Sequence, residues 1–205
     1  MMSKPYLFVD FEFTMPEDHQ KRKGFVPEII EAGVAVVRNG EVHDTFSSFV
    51  KPEINSLLSN RCMQFLDITQ EAVDQGISFR ELIAAFMKYE SQCMSTVVTW
   101  GNMDMYVLRK QCLQAGIPYP FPNKEIDLSM EHKRFYGTKN QTGLMKALVE
   151  FGHSAKGKHH RALDDAMTTF EIFKLMEKDK KYLKRAEPST IGELVDFSRL
   201  LAHMA

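Results

Sequence analysis

Two acids, Asp10 and Glu12, interrupt a run of large apolar residues, Pro5-Tyr6-Leu7-Phe8-Val9-Asp10-Phe11-Glu12-Phe13-Thr14. Alternation along a strand puts both carboxylates on one side and Val9, Phe11 and Phe13 on the other. Side by side in an apolar strand they repel each other and lose hydration, and a cation between them relieves both penalties. For an arbitrary D-x-E, a strand end that has reached solvent is explanation enough. Here, however, groups of matching type follow: Asp104 just past the short run Thr96-Val97-Val98-Thr99-Trp100, and His160 with Asp164 and Asp165 ahead of a helical pattern. A histidine beside acids is suited to taking a proton from water, because its unperturbed pKa is near 6.5. Acids complementing a helix dipole account for Asp164 and Asp165 but leave His160 without a task. Oxygen ligands with no competing Cys/His cluster favour hard ions, Mg²⁺ or Mn²⁺.

The elements that must position these groups are legible in order. The first strand carries Asp10 and Glu12. Met15 to Pro27 is polar, contains Lys21-Arg22-Lys23-Gly24 and lacks periodicity, so it reads as a loop, either solvated or touching substrate. Glu28 to Arg38 is rich in Ile and Val, and Asn39-Gly40 is a strong hairpin signal, so a second and a third strand (Glu41 to about Val50) form a hairpin. Glu31 is either a supporting group near the acids or an exposed strand residue. Asn55 to Gln75 suggests short helical turns, and Ser78 to Glu81 has capping-box spacing ahead of a helix to about Ser91. Thr96–Trp100 reads as a buried strand followed by a helix from Met103 to Ala115, closed by Gly116. Asp104 is thereby placed at a strand end, where open α/β sheets put their sites. Glu125-Ile126-Asp127-Leu128 reads as a last strand, followed by a helix with His132, Lys133 and Arg134 and another over Thr142–Phe151. A helix from Ala162 to about Glu177 buries Ala162, Leu163, Ala166, Met167, Phe170 and Phe173; a charged connection and a final helix from Thr190 close the chain.

With 205 residues, 44% of them hydrophobic and 26% charged, the chain fits one globular domain with a substantial core. A formal charge of -1 gives no global attraction to a polyanion, so any such partner is held by local charge. Three cysteines without metal-type spacing, no signal peptide and no membrane-spanning run together point to a reducing cytoplasm and no membrane association.

Asp10-x-Glu12, Asp104 after Trp100-Gly101-Asn102-Met103, and His160-x-Ala162-x-x-Asp165 resemble, in order, the three motifs of the DEDDh family of 3′-to-5′ exonucleases. Residues from about 5 to 178 share the resemblance. Asp10-Phe11-Glu12-Phe13-Thr14, Pro27-Glu28-Ile29-Ile30-Glu31, Phe49-Val50-Lys51-Pro52 and Leu66-Asp67-Ile68-Thr69-Gln70 are similar to the ERI-1 type. The resemblance implies an α/β, RNase H-like fold: a mixed five-stranded sheet flanked by helices, in one domain over 1–185 with a C-terminal helical extension over 186–205. It implies cleavage of single-stranded nucleic acid, RNA favoured and DNA possible, from a free 3′ end to nucleoside 5′-monophosphates. Two divalent ions about 3.5 to 4 Å apart would serve both oxygens of the displacement. By similarity, Asp10, Glu12 and Asp165 hold one ion, Asp10 and Asp104 support the second, His160 is the general base, and Glu12 also reaches the terminal sugar.

Which aspartate binds metal depends on His160. Inside the helix, His160 would lie nearest Asp164 at i+4; on the loop before it, Asp165 is the ligand and Asp164 a solvent-exposed acid. The family pattern picks Asp165. Phe13, Thr14, Trp100 and Met105, with His160, are the candidate substrate contacts, Met105 foremost among the apolar ones because it adjoins Asp104. Lys133, Arg134, Lys156, Lys158 and Arg161 could meet phosphates. Two other readings remain: a regulatory protein that inhibits a signalling partner, such as a sporulation kinase pathway, by surface contacts, and a proofreading module for mismatched DNA ends.

Overall fold

The computed structural model describes residues 5–18, 24–92, 95–154, 157 and 160–185. Five strands, β1 (Tyr6–Phe13), β2 (Ile29–Arg38), β3 (Glu41–Phe49), β4 (Thr96–Thr99) and β5 (Lys124–Asp127), form one sheet in the order β3-β2-β1-β4-β5. β1 is antiparallel to β2 and parallel to β4, β2 is antiparallel to β3, and β4 is parallel to β5. Asn39 and Gly40 both take positive φ, 54° and 83°, as a two-residue turn matched to strand twist requires. Seven helices complete the described elements: α1 (Asn60–Leu66), α2 (Gln70–Asp74), α3 (Phe79–Gln92), α4 (Met103–Ala115), α5 (Leu128–Tyr136), α6 (Leu144–Glu150) and α7 (Ala162–Arg185). The mixed five-stranded sheet flanked by helices is as expected.

The two faces of β1 do different work. Leu7, Val9 and Phe11 join a core with Phe79, Leu82, Ile83 and Phe86 of α3 and Met105, Val107 and Leu108 of α4. On the other face Phe8 packs against the rings of Phe170 and Phe173 on α7 at 5.0 and 5.3 Å. The carboxylates of Asp10 and Glu12 continue that second face. The start of α7 reaches it only because Gly33, the β2 partner of Asp10, has no side chain: a β-carbon there would fall 2.1 Å from Leu163 N. Ser78 and Glu81 exchange hydrogen bonds as the capping box requires, so α3 starts where its sequence says.

Three readings change. Met167 is exposed, and Thr168 and Thr169 are buried in its place, because the face of α7 toward the sheet is rotated slightly from the apolar stripe. The helix continues past Glu177 to Arg185, carried by strong helix formers and the Lys180–Glu177 pair at i,i+3. Arg161 does not lie on open, solvated surface, since its guanidinium pairs with Glu31. The chain falls into two compact units, residues 1–174 and 175–205. The expected last helix, Lys21-Arg22-Lys23, Lys156 and Lys158 lie outside the described residues. Among the described residues no helix is long and apolar enough to cross a membrane.

Candidate active site

Asp10 and Glu12 leave β1 on the α7 side, and three further acids converge on them. Glu31 is the cross-strand partner of Glu12 on β2. Asp104 sits in the first turn of α4 and accepts the Phe11 N–H through Oδ1 at 3.0 Å, which ties the helix start to β1. Asp165 lies in the first turn of α7 and is buried. His160 is placed on the loop before α7, not in it, with φ of 63°. A left-handed conformation costs a non-glycine residue about 1–2 kcal/mol, so the surroundings must hold it there. Its N–H donates to Asp165 Oδ2 at 3.3 Å, its Nδ1 is 3.8 Å from Glu12 Oε1, and its ring packs on that of Phe65 at 4.5 Å. Glu12, His160 and Asp165 offer ligand atoms that all lie within 4.8 Å of one another.

The electrostatics of this cluster are those of a site built for cations. Glu12, Asp104 and Asp165 are only 7%, 6% and 5% exposed. Burial, then repulsion from Asp165, Glu31 and Asp104, pushes the Glu12 carboxyl up to about 8, against a smaller opposing pull from Arg161. Asp104 is pushed up to about 7, mainly by burial, despite the Phe11 N–H bond. Asp10 is raised well above the usual carboxylate range by burial and by Asp104, Glu12, Asp165 and Glu31. Burial and mutual repulsion thus favour the protonated forms of these acids; a bound divalent ion reverses that preference. The donor set therefore fits hard divalent ions.

Asp164 departs from expectation: it is half-buried instead of solvent-exposed, because Gly157 folds over it and a β-carbon at Gly157 would fall 2.4 Å from its Cγ. The substrate candidates also sort themselves. Met105 is 4% exposed, in the core, with the Tyr119 hydroxyl donating to its sulfur at 3.3 Å. Met103, one residue before Asp104, is 53% exposed. Two positions along the helix turn the side chain by about 200° and decide which methionine faces out. Trp100 is half-buried and anchored, its indole N–H donating to Thr142 O at 3.0 Å and its ring meeting His132 edge-on. Phe13 is half-buried against Phe11, and Thr14 is buried, its hydroxyl oxygen accepting the Glu28 N–H at 2.9 Å.

Four residues escaped the sequence reading. Met103 and Phe65 are exposed apolar groups beside Asp104 and His160, and only the first had a usable signal, its place in a helical first turn. Glu28 is buried, and its carboxylate accepts N–H groups from Glu53, Ile54 and Asn55 at 2.7, 3.0 and 2.6 Å, which fixes the loop after β3 against the start of β2. Asp127 caps α5 and adds its negative field to Asp104.

A sequence-family model described as Exonuclease (RNase_T) matches residues 7–173. The chain belongs to the DEDDh 3′-to-5′ exonucleases. It is 47% identical over 201 residues to the probable 3′-5′ exonuclease KapD of Bacillus subtilis, covering 98% of each chain. It is 32% identical over 204 residues to 3′-5′ exoribonuclease 1 of Homo sapiens, covering 94% of this chain and 58% of the relative. Among solved structures it resembles the nuclease domain of 3′hExo, a DEDDh family member bound to rAMP, with a TM-score of 0.78 at 30% identity over 86% of this chain and 92% of that one. The fold of this DEDDh exonuclease is thus RNase H-like, and enzymes of its family use divalent metal ions. The comparisons lend nothing to the alternative of a purely regulatory binding protein.

Proposed function

We propose that this DEDDh exonuclease shortens single-stranded nucleic acid from the free 3′ end, RNA in preference to DNA, with two divalent ions and His160 as general base. The observation that carries the reading is the meeting of Glu12, His160 and Asp165 within 4.8 Å on the face of β1 that also carries Asp10. Asp10, Glu12 and Asp165 would hold one ion and Asp10 with Asp104 the other. Bound there, the ions stabilise the attacking and leaving oxygens of the displacement. His160 takes a proton from water as its oxygen attacks the last phosphorus. The bond from phosphorus to the 3′ oxygen of the preceding nucleotide then breaks, that oxygen takes up a proton, and a nucleoside 5′-monophosphate is released. Phe65 and Met103 offer apolar faces on which a terminal base can stack without its identity being read. The preference for RNA is supported by the exoribonuclease name of the human relative. One domain over 1–185 with an extension over 186–205, a cytoplasmic location and a regulatory partner acting alongside catalysis belong to this proposal as well.

The test is digestion of 3′-free and 3′-blocked single-stranded RNA and DNA oligonucleotides, with Mn²⁺ or with chelator, beside Asp10→Ala and His160→Ala proteins. Stepwise, metal-dependent shortening of free 3′ ends is expected, lost in Asp10→Ala and roughly 10²- to 10⁴-fold slower in His160→Ala. Full turnover in His160→Ala would remove the histidine from the mechanism; cleavage of blocked ends would remove the exonuclease polarity.

A further inference from the structure

Glu12 on β1, Glu31 on β2 and Phe49 on β3 are in register, a row of three side chains across the sheet on one face. Arg161 lies along that row. Its guanidinium pairs with Glu31 and stands 5.3 Å over the Phe49 ring. From the same side chain, Nε–H turns back and donates to the carbonyl oxygen of His160 at 3.0 Å. Both partners of the ion pair are largely withdrawn from solvent, so the arrangement is not a mobile surface contact. The peptide groups of His160 are therefore held from two sides: its N–H by Asp165 and its C=O by an arginine anchored on the sheet. His160 is also a non-glycine residue in the left-handed region, a conformation its own chain does not favour.

We propose that Arg161 is a positioning residue for the reaction. It transmits the fixed location of Glu31, next to Glu12 in the sheet, to the backbone of His160, and so sets where the imidazole stands relative to Glu12 and Asp165. Arginine is needed because one rigid, planar fork must serve a carboxylate and a carbonyl together. Lysine can keep the charge against Glu31 but has a single nitrogen at its tip and loses the bond to His160. This inference rests on His160 acting as the base.

The experiment is a double-mutant cycle of Arg161→Lys and His160→Ala on the full chain, with Mn²⁺ and a single-stranded RNA oligonucleotide. Arg161→Lys is expected to lower kcat roughly 10- to 100-fold, since displacement of a catalytic group by about 1 Å has that effect. KM and the Mn²⁺ concentration for half-maximal activity should stay within roughly twofold. In the His160→Ala background the same change should cost no further activity, because the group it positions is gone. A merely structural arginine would give the same loss in both backgrounds, and that result would overturn the proposal, as would wild-type kcat in Arg161→Lys. A second arm uses Arg161→Ala with guanidinium ion below denaturing concentration. Partial recovery is expected there and none in Arg161→Ala/His160→Ala; equal recovery in both counts against the proposal. Unchanged turnover in His160→Ala alone would sink the base assignment and this inference with it. Loss in His160→Ala with none in Arg161→Lys would sink this inference only.

Discussion

Glu12→Gln is expected to abolish exonucleolytic turnover and, at the same time, to raise the melting temperature of the metal-free protein at alkaline pH. The two effects share a cause. Glu12 is buried among Asp165, Glu31 and Asp104, and its carboxyl is raised from an ordinary value of 4.5 to about 8. In that interval the folded protein binds a proton that the unfolded chain has released, so the sign of the linkage makes stability fall as pH rises. The penalty is absent below 4.5 and complete above about 8. Gln keeps the volume and removes the charge, so the melting temperatures of the two proteins should coincide near pH 5 and separate steadily toward pH 8.5, with the variant higher by on the order of 10 °C. Mg²⁺ or Mn²⁺ should raise the wild-type value by mass action and the variant's far less, because one ligand is missing. Melting curves of both proteins across this pH range, with chelator and with metal, check the expectation. A wild-type protein whose stability rises between pH 5 and 8.5 in chelator would show that the acids are not crowded as the structure has them. The loss of turnover is the functional face of the same arrangement, since a site stabilised by removing charge no longer holds the ion that the charge was there to bind.

Asp165→Asn should lower activity by several orders of magnitude, whereas Asp164→Asn should cost roughly tenfold or less. Asp165 shares a 4.8 Å cluster with Glu12 and His160 and receives the His160 N–H, so under the proposed assignment its replacement would remove a metal ligand and loosen the base together. Asp164 is not one of the three residues of this cluster; its carboxylate lies against Gly157, and its backbone carbonyl accepts the Thr168 hydroxyl at 2.8 Å, a bond that survives the side-chain change. Half-burial under Gly157 makes a small effect expected instead of none. The comparison is made as initial rates on one RNA oligonucleotide at saturating Mn²⁺. A larger loss in Asp164→Asn would exchange the roles of the two acids.

Much of this molecule is written locally. The alternation around Asp10 and Glu12, the Asn39-Gly40 turn, the Ser78–Glu81 capping box and the Met103 helix after a β-branched strand each rest on interactions within a few residues, and each appears in the structure as the sequence predicts. The site acids were legible for the same reason, because a carboxylate in an apolar strand or a histidine ahead of a helix is anomalous in its own neighbourhood. What pattern could not decide was contact between segments far apart in the chain. Met103 and Met105 are equally apolar and equally near Asp104, and only the docking of α4 on the sheet puts one in solvent and the other in the core. Arg161 reads as one cation in a basic stretch; its pairing with Glu31, 130 residues earlier, is what ties it to the sheet beside Glu12. The left-handed turn at His160 is decided in the same way, since its own residue type disfavours that conformation and its bonds to Asp165 and Arg161 depend on α7 seating over Gly33. Sequence determined which groups could do the chemistry, because their identities and local periodicities are intrinsic to the chain. Tertiary structure decided which of them meet, because that is fixed by the packing of helices on the two faces of one sheet.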